Sequence, residues 1–252
     1  MKMKIAVLAA VLCSFIFAEE YWVKPMAETH KNFKGKPGTV ALYGDSITYV
    51  DRFWTSIKDG VINCEDIDTK KLINYIAPEC WKWKGKENGN VIGWSVRNGV
   101  QVIDKVLPKH NPEVAIVMFG TNDVERGNVK DRNFAGELTT VITKCLNNGT
   151  VVILSTIPPR RNWQDQVKEF NEAIRAVAKN LNIPLVDYYA EVLKRRPDDW
   201  DGTLIDKRDG CHPTARGKTE DWSEESLKGN GYSLRNYVTF KKYGEVYENI
   251  LK

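Results

Sequence analysis

The stretch Thr39-Val-Ala-Leu-Tyr-Gly-Asp-Ser-Ile-Thr48 decides how this chain reads. Val40 to Tyr43 is an apolar run, long enough for a buried strand and too short for a helix. Gly44-Asp45-Ser46 supplies a tight turn, and Ile47 to Trp54 opens a candidate helix. A hydroxyl is thereby set at the C-terminal edge of a strand, where open α/β sheets bind ligands. Gly44 lets the backbone turn sharply. Asp and Ser are also ordinary turn and N-cap residues, so the segments around this one have to decide between a cap and a nucleophile.

Working outward, more strands appear, separated by helical patterns. Val114-Ala-Ile-Val-Met-Phe119 is apolar throughout, as a central parallel strand should be, and ends at Gly120-Thr-Asn-Asp123. Thr150 to Thr156 is the next strand, closed by Ile157-Pro-Pro159, and Ile183 to Asp187 is a short last one. Asn90 to Ser95 reads as a short strand ending in Gly93-Trp94-Ser95. Helical spacing is expected over 100–107, 134–146, 164–181, 188–195 and 234–251, with Pro108 and Pro112 bracketing a loop. In 164–181 the stripe Val167, Phe170, Ile174, Val177 is core packing, not a cofactor box. This alternation predicts a doubly wound parallel sheet with right-handed crossovers covering both faces. Residues 19–37 read as a polar, irregular arm. Residues 55–90 read as an insertion with little regular structure, either a functional loop or a packed surface excursion.

The first eighteen residues stand apart. Lys2 and Lys4 precede an apolar run from Ile5 to Phe17, broken only by Ser14 and followed by Ala18 and Glu19-Glu20. That pattern is a secretory leader, too short for a comfortable membrane span, with an uncleaved anchor as the alternative. It leaves one domain over 19–252 and a secreted or periplasmic protein. The formal charge of +4 falls to 4 − 2 = +2 without the two leader lysines, and no basic run suggests nucleic acid. Cys64, Cys80, Cys145 and Cys211 remain after the leader. An oxidising compartment permits disulfides. Cys64–Cys80 is the first pair expected, since both lie in the insertion, and their spacing carries no metal signature.

Three turns now stand at the C-terminal ends of three strands: Gly44-Asp45-Ser46, Gly93-Trp94-Ser95 and Gly120-Thr121-Asn122-Asp123. In a parallel sheet these ends converge. A hydroxyl nucleophile needs a base, and the chain has three histidines. His30 lies in the N-terminal arm and His110 enters the sheet at its other end. Only His212, in Asp209-Gly-Cys-His212-Pro213, follows the last strand and its helix and can return over this edge. Asp209, three residues earlier in a glycine turn, can accept the imidazole N–H and hold the useful tautomer. Donors for a developing oxyanion would be the Ser46 N–H, the Gly93 N–H and the Asn122 side-chain amide.

In this order and spacing the four blocks resemble the SGNH, or GDSL-type, serine hydrolase family, from Thr39 to Pro213. The glycine block departs from the usual pattern, because the nearest Asn is Asn90, three residues before Gly93. Arg97-Asn98-Gly99 is a rival, placed where the next helix should begin. The resemblance implies a three-layer α/β/α, flavodoxin-like fold with a five-stranded parallel sheet. It also implies a Ser46-His212-Asp209 triad working through an acyl-enzyme with no metal or organic cofactor.

Substrate is not fixed by family. A leader plus tryptophans in loops points to an exported enzyme acting on an acetylated carbohydrate. Trp81, Trp83, Trp94 and Trp200 are the expected stacking walls, and Asp45 is counted with them as a substrate contact. A lipid esterase or thioesterase is the enzymatic alternative. A carbohydrate-binding protein on a hydrolase scaffold is the non-catalytic one. The expected partner is a small-molecule or glycan ester. Arg160, Arg161, Arg195 and Arg196 are candidate contacts for an acidic sugar, weighed against ordinary solvated surface.

Overall fold

The computed structural model describes residues 20–130 and 133–252, so the leader expected over 1–18 lies outside the described residues. Four strands form one parallel sheet: β1 (Val40–Gly44), β2 (Val114–Met118), β3 (Val151–Ser155) and β4 (Leu185–Val186), in that spatial order. Every residue of β1, β2 and β3 is buried, which is why these segments are uniformly apolar rather than alternating. The β1–β2 register pairs Gly44 with Met118. The two turns that follow, 44–46 and 120–123, are therefore neighbours.

The fifth strand expected at Asn90–Ser95 does not form. Only Asn90 reaches the sheet, through an isolated parallel bridge to Gly44 on the outer side of β1. The buried Asn90 side chain takes over the ladder's work. Its Nδ2 donates to Leu42 O at 2.9 Å and Trp83 O at 3.1 Å, and its Oδ1 accepts from Gly85 N at 3.1 Å. Gly89 and Gly93, at φ +89° and +77°, then bend the chain out of extended geometry on both sides. Counting that bridge, the order still reverses direction beside β1, and the site sits at this switch point.

Nine helices among the described residues complete the fold: α1 (Val23–His30), α2 (Ser46–Tyr49), α3 (Thr69–Tyr75), α4 (Val96–His110), α5 (Phe134–Asn147), α6 (Gln164–Asn180), α7 (Tyr188–Arg195), α8 (Glu224–Gly229) and α9 (Gly231–Val246). α4, α5 and α6 pack side by side, while α1 and α9 also pack against β3 and α7 packs against α9. α4 is longer than its spacing predicts. Ser95 N donates to Asn98 Oδ1 at 2.9 Å at its start, and Asn111, left-handed at φ 40°, ends it. Pro108 thus lies in the last turn of a helix, not at a loop boundary. The N-terminal arm is not irregular: α1 anchors through Trp22 and Met26, both buried. α9 is buried on most sides, and its last turn continues as a short π-helical segment, Tyr247–Leu251.

The insertion packs onto the domain rather than hanging from it. It contributes α3, short 3-10 turns and the buried side chains of Leu72, Ile76, Cys80 and Trp81. All four described cysteines are free thiols, so the Cys64–Cys80 pair is not present. Cys80 Sγ accepts from Val40 N at 3.2 Å beneath β1, whereas Cys64 faces Asp66 nearer the surface. The two positions share a segment of sequence but not a place in the fold.

Candidate active site

Ser46 is the first residue of α2, and its geometry is set by its neighbours. Asp45 caps the helix, its Oδ1 accepting from Ile47 N at 3.0 Å. Gly44 is required for space, not for an unusual φ. A Cβ there would stand 2.4 Å from Thr48 Oγ1 and 2.7 Å from the Met118 carbonyl oxygen. The strand can therefore pass close under α2 only with glycine at that point. Ser46 keeps 9% of its surface exposed, enough for its hydroxyl to meet a bound group.

His212 reaches Ser46 from the loop after α7. Its Nε2 lies 2.8 Å from Ser46 Oγ, and its Nδ1 lies 2.8 Å from Asp209 Oδ2. Asp209 Oδ1 accepts from the backbone N–H groups of Cys211 (2.9 Å) and His212 (3.0 Å), which locks the carboxylate against the ring. Partial burial pushes the Asp209 carboxyl up. The His212 and Cys211 amides and the imidazole outweigh that and hold it below its ordinary value. A carboxylate at Nδ1 leaves Nε2 free to take a proton from the serine hydroxyl.

Gly93 and Asn122 stand on the other side of Ser46. Asn122 Nδ2 donates to Trp94 O at 2.9 Å and to Asp45 Oδ2 at 3.4 Å. Arg126 donates to Gly93 O at 3.2 Å, and Asp123 accepts from Val96 N at 3.1 Å. The 120–126 turn thus grips the 93–96 turn through the Gly93 and Trp94 carbonyls and the Val96 N–H. Neither the Ser46 nor the Gly93 backbone N–H is engaged by an acceptor among the described residues. Gly99, the rival glycine, is buried inside α4 with the Phe119 ring 3.0 Å from where its Cβ would be, so it supplies packing rather than a free amide. Among the described residues no group of three or more His, Cys, Asp or Glu side chains is placed to hold a metal ion.

The remaining candidates divide. Asp45 is fully buried and committed to the α2 cap, so it cannot touch a substrate. Trp81, only 8% exposed, packs its ring 6.0 Å from Trp54 in the core, and Trp83 lies 4.0 Å from the His110 ring. Trp81 presents no stacking wall, because the insertion folds it onto the domain, whereas Trp83 stays half-buried. Trp94 and Trp200 are half-buried, with Trp94 beside Gly93. His110 is also hydrogen-bonded to Asn88 (2.7 Å), and His30 to Glu113 (3.0 Å).

Three supporting residues carry no sequence signal. Arg235 of α9, 1% exposed, donates to Ile47 O and, at 2.9 Å, to Thr48 Oγ1, with its guanidinium 3.5 Å from the Phe53 ring centre. Asn236 accepts from Trp54 N at 2.9 Å and donates to Arg52 O at 2.9 Å. Lys84, from the insertion, donates to the Thr48, Val50 and Phe53 carbonyls at 3.0–3.4 Å, and burial pushes its ammonium down to about 7. Polar residues inside an apolar helix or a charged loop look like solvated surface in sequence. Only the fold reveals that they clamp the segment after Ser46.

Burial also pushes the Asp45 carboxyl up to about 6, against the Ile47 amide and the Arg235 charge, which pull it down. The folded chain therefore holds a proton that the unfolded chain releases near 3.8, so stability from this group is present below that window and lost as pH rises through it. The expected result is that Asp45→Asn gains on wild type by up to about 3 kcal/mol between pH 4 and pH 8, read by urea unfolding at both values. A difference independent of pH would show that Asp45 does not titrate in this window.

Residues 42–219 match the GDSL-like lipase/acylhydrolase family. The chain belongs to that family. A GDSL esterase/lipase of Oryza sativa subsp. japonica is 28% identical over 159 residues, half of this chain and 58% of the relative. An arylesterase of Vibrio mimicus is 24% identical over 127 residues, half of this chain and 60% of the relative. The match thus spans about three-fifths of the length of these relatives. A GDSL-like lipase from Bacteroides thetaiotaomicron VPI-5482 shares the fold at a TM-score of 0.59 and 18% identity, covering 90% of this chain and all of that one. An acetyl xylan esterase does so at 0.55 and 21%, covering 80% and 98%.

Proposed function

We propose that this family member is an exported serine esterase that cleaves small acyl esters, acetylated carbohydrates first among them. The observation that carries the reading is the continuous line Ser46 Oγ–His212 Nε2 and His212 Nδ1–Asp209 Oδ2, with 2.8 Å at each step. In the acylation step Ser46 Oγ bonds to the ester carbonyl carbon as its proton passes to His212 Nε2. The Ser46 and Gly93 amides take the developing oxyanion, and Asn122 Nδ2 joins them by giving up its long 3.4 Å bond to Asp45 Oδ2. The carbonyl–alkoxide bond then breaks, and His212 returns the proton to the departing alcohol. Water, deprotonated by the same imidazole, releases the acid and restores Ser46. Asp209 keeps Nδ1 protonated throughout.

Family membership and the arylesterase relative support ester hydrolysis. The leader pattern of residues 1–18 supports export. The carbohydrate substrate is supported by Trp83, Trp94 and Trp200, which remain partly open, while Trp81 is buried. Hydrolysis of aryl esters of increasing acyl length, with Ser46→Ala as the blank, tests the reading. A preference for acetyl that vanishes in the blank supports it. Activity rising with chain length moves the substrate to lipids, and activity persisting in the blank removes Ser46 from the mechanism.

A further inference from the structure

A groove of about 570 Å³ opens beside His212, and neither Gly93 nor Asn122 is among the residues that line it. The oxyanion donors define where the carbonyl oxygen sits, and His212 must reach the departing oxygen. The groove next to His212 therefore receives the alcohol half of the ester. Its volume suits a single sugar or an aryl group.

The charges around it are unbalanced. Arg52, Lys207, Arg208 and Arg216 line it against Asp206 and Asp209, which gives 4 − 2 = +2. Both carboxylates are already engaged. Asp206 accepts from the Arg208 guanidinium and from its backbone N–H at 2.9 Å, and Asp209 holds His212. Arg216 donates to the Gly202 carbonyl oxygen. The Arg52 and Lys207 side chains have no hydrogen-bond or ion-pair partner among the described residues, and both are exposed.

The arginines singled out from sequence behave differently. Arg160 pairs with Glu125, Arg161 with Asp201, Arg195 with Glu224 and Arg196 with Asp199. Those four arginines are matched to carboxylates, whereas Arg52 and Lys207, which line the groove beside His212, are not.

We propose that the alcohol half of the substrate carries a fixed negative charge, a carboxylate in the first instance, bound in this groove by Arg52 and Lys207. This deepens the esterase reading and rests on it. Such an anion replaces water at two uncommitted cations and sits within a Debye length of both. It also orients the leaving oxygen toward His212 Nε2.

The test compares 4-carboxyphenyl acetate with the neutral 4-carbamoylphenyl acetate, which share one acyl group and differ in alcohol charge. The readout is the ratio of their kcat/KM values for wild type, Arg52→Gln/Lys207→Gln and Arg52→Glu/Lys207→Glu, with folding checked by circular dichroism. An exposed ion pair of ordinary strength gives about three- to fivefold per cation. The ratio is expected to fall roughly tenfold in the glutamine double variant, to fall further in the glutamate one, and to shrink for wild type between 20 mM and 500 mM salt. A ratio equal in all three proteins, with both esters cleaved and Ser46→Ala inactive, overturns the proposal and leaves the serine esterase standing. Failure to cleave either ester removes both together.

Discussion

Ser46→Ala and His212→Ala each lower kcat for ester hydrolysis by about 10⁴- to 10⁶-fold, and the double variant is no slower than the slower single one. The reason is geometric. Ser46 Oγ and His212 Nε2 stand 2.8 Å apart, and in the proposed mechanism they form one proton-transferring unit, so once either is gone the other has nothing to act on. What remains in that mechanism is the carbonyl polarisation proposed for the Ser46 and Gly93 amides and Asn122. Asn122→Ala therefore costs less, about 10²- to 10³-fold, as expected for one oxyanion donor. Rates from purified proteins at saturating ester, with thermal unfolding as a control, decide this. Losses that multiply in the double variant would mean that the two side chains act independently.

Arg235→Met lowers unfolding stability by about 3–5 kcal/mol, roughly 10 °C or more in Tm for a chain of this size. Arg235 is enclosed, and its guanidinium donors serve the Ile47 carbonyl and Thr48 hydroxyl directly behind Ser46. Methionine fills much of the volume but leaves that carbonyl without its donor. It also leaves Asp45 without the buried cation that helps hold its carboxyl near 6. Asp45 then titrates higher still, so its penalty grows as pH rises. The loss is expected to be larger at pH 8 than at pH 4.5, and adding Asp45→Asn recovers part of it at pH 8. An equal loss at both pH values would show that Arg235 acts through packing and hydrogen bonds alone.

The placement of Arg235 marks where sequence reading stops. Its chain neighbours Leu234, Asn236 and Tyr237 give no hint that the guanidinium reaches a turn nearly two hundred residues earlier. The same holds for Lys84, which looks like one more cation in a charged insertion yet binds three carbonyls of the segment after Ser46. The tryptophans mislead for a related reason. Trp81 and Trp83 sit among charged and glycine-containing residues, which reads as an exposed loop, but the insertion folds inward onto Trp54 and His110. Conversely, Asp45 looks available in a polar turn and is sealed by the packing of α2 over β1 and β2.

Local chemistry determined the rest. Uniformly apolar runs of five or six residues specify strands buried on both faces, and their alternation with helical spacing specifies a parallel sheet whose turns share an edge. That edge collects Ser46, Gly93 and Asn122, while three histidines and one Asp three residues ahead single out His212. Asn90, by contrast, was legible only as part of a strand. Tertiary contacts made it a single bridge, in which Gly89 O and Val91 N pair with Gly44 and the Asn90 side chain ties Leu42 O to Trp83 O. The sequence by itself determined four parallel strands, the converging turns and the set Ser46, His212 and Asp209 that the fold brings together, since these follow from periodicity and chain order. Only the tertiary structure decided which polar side chains are buried beneath Ser46, that Trp81 is withdrawn and which cations are left unmatched beside His212. Those outcomes depend on contacts between segments far apart in the chain, which no local pattern encodes.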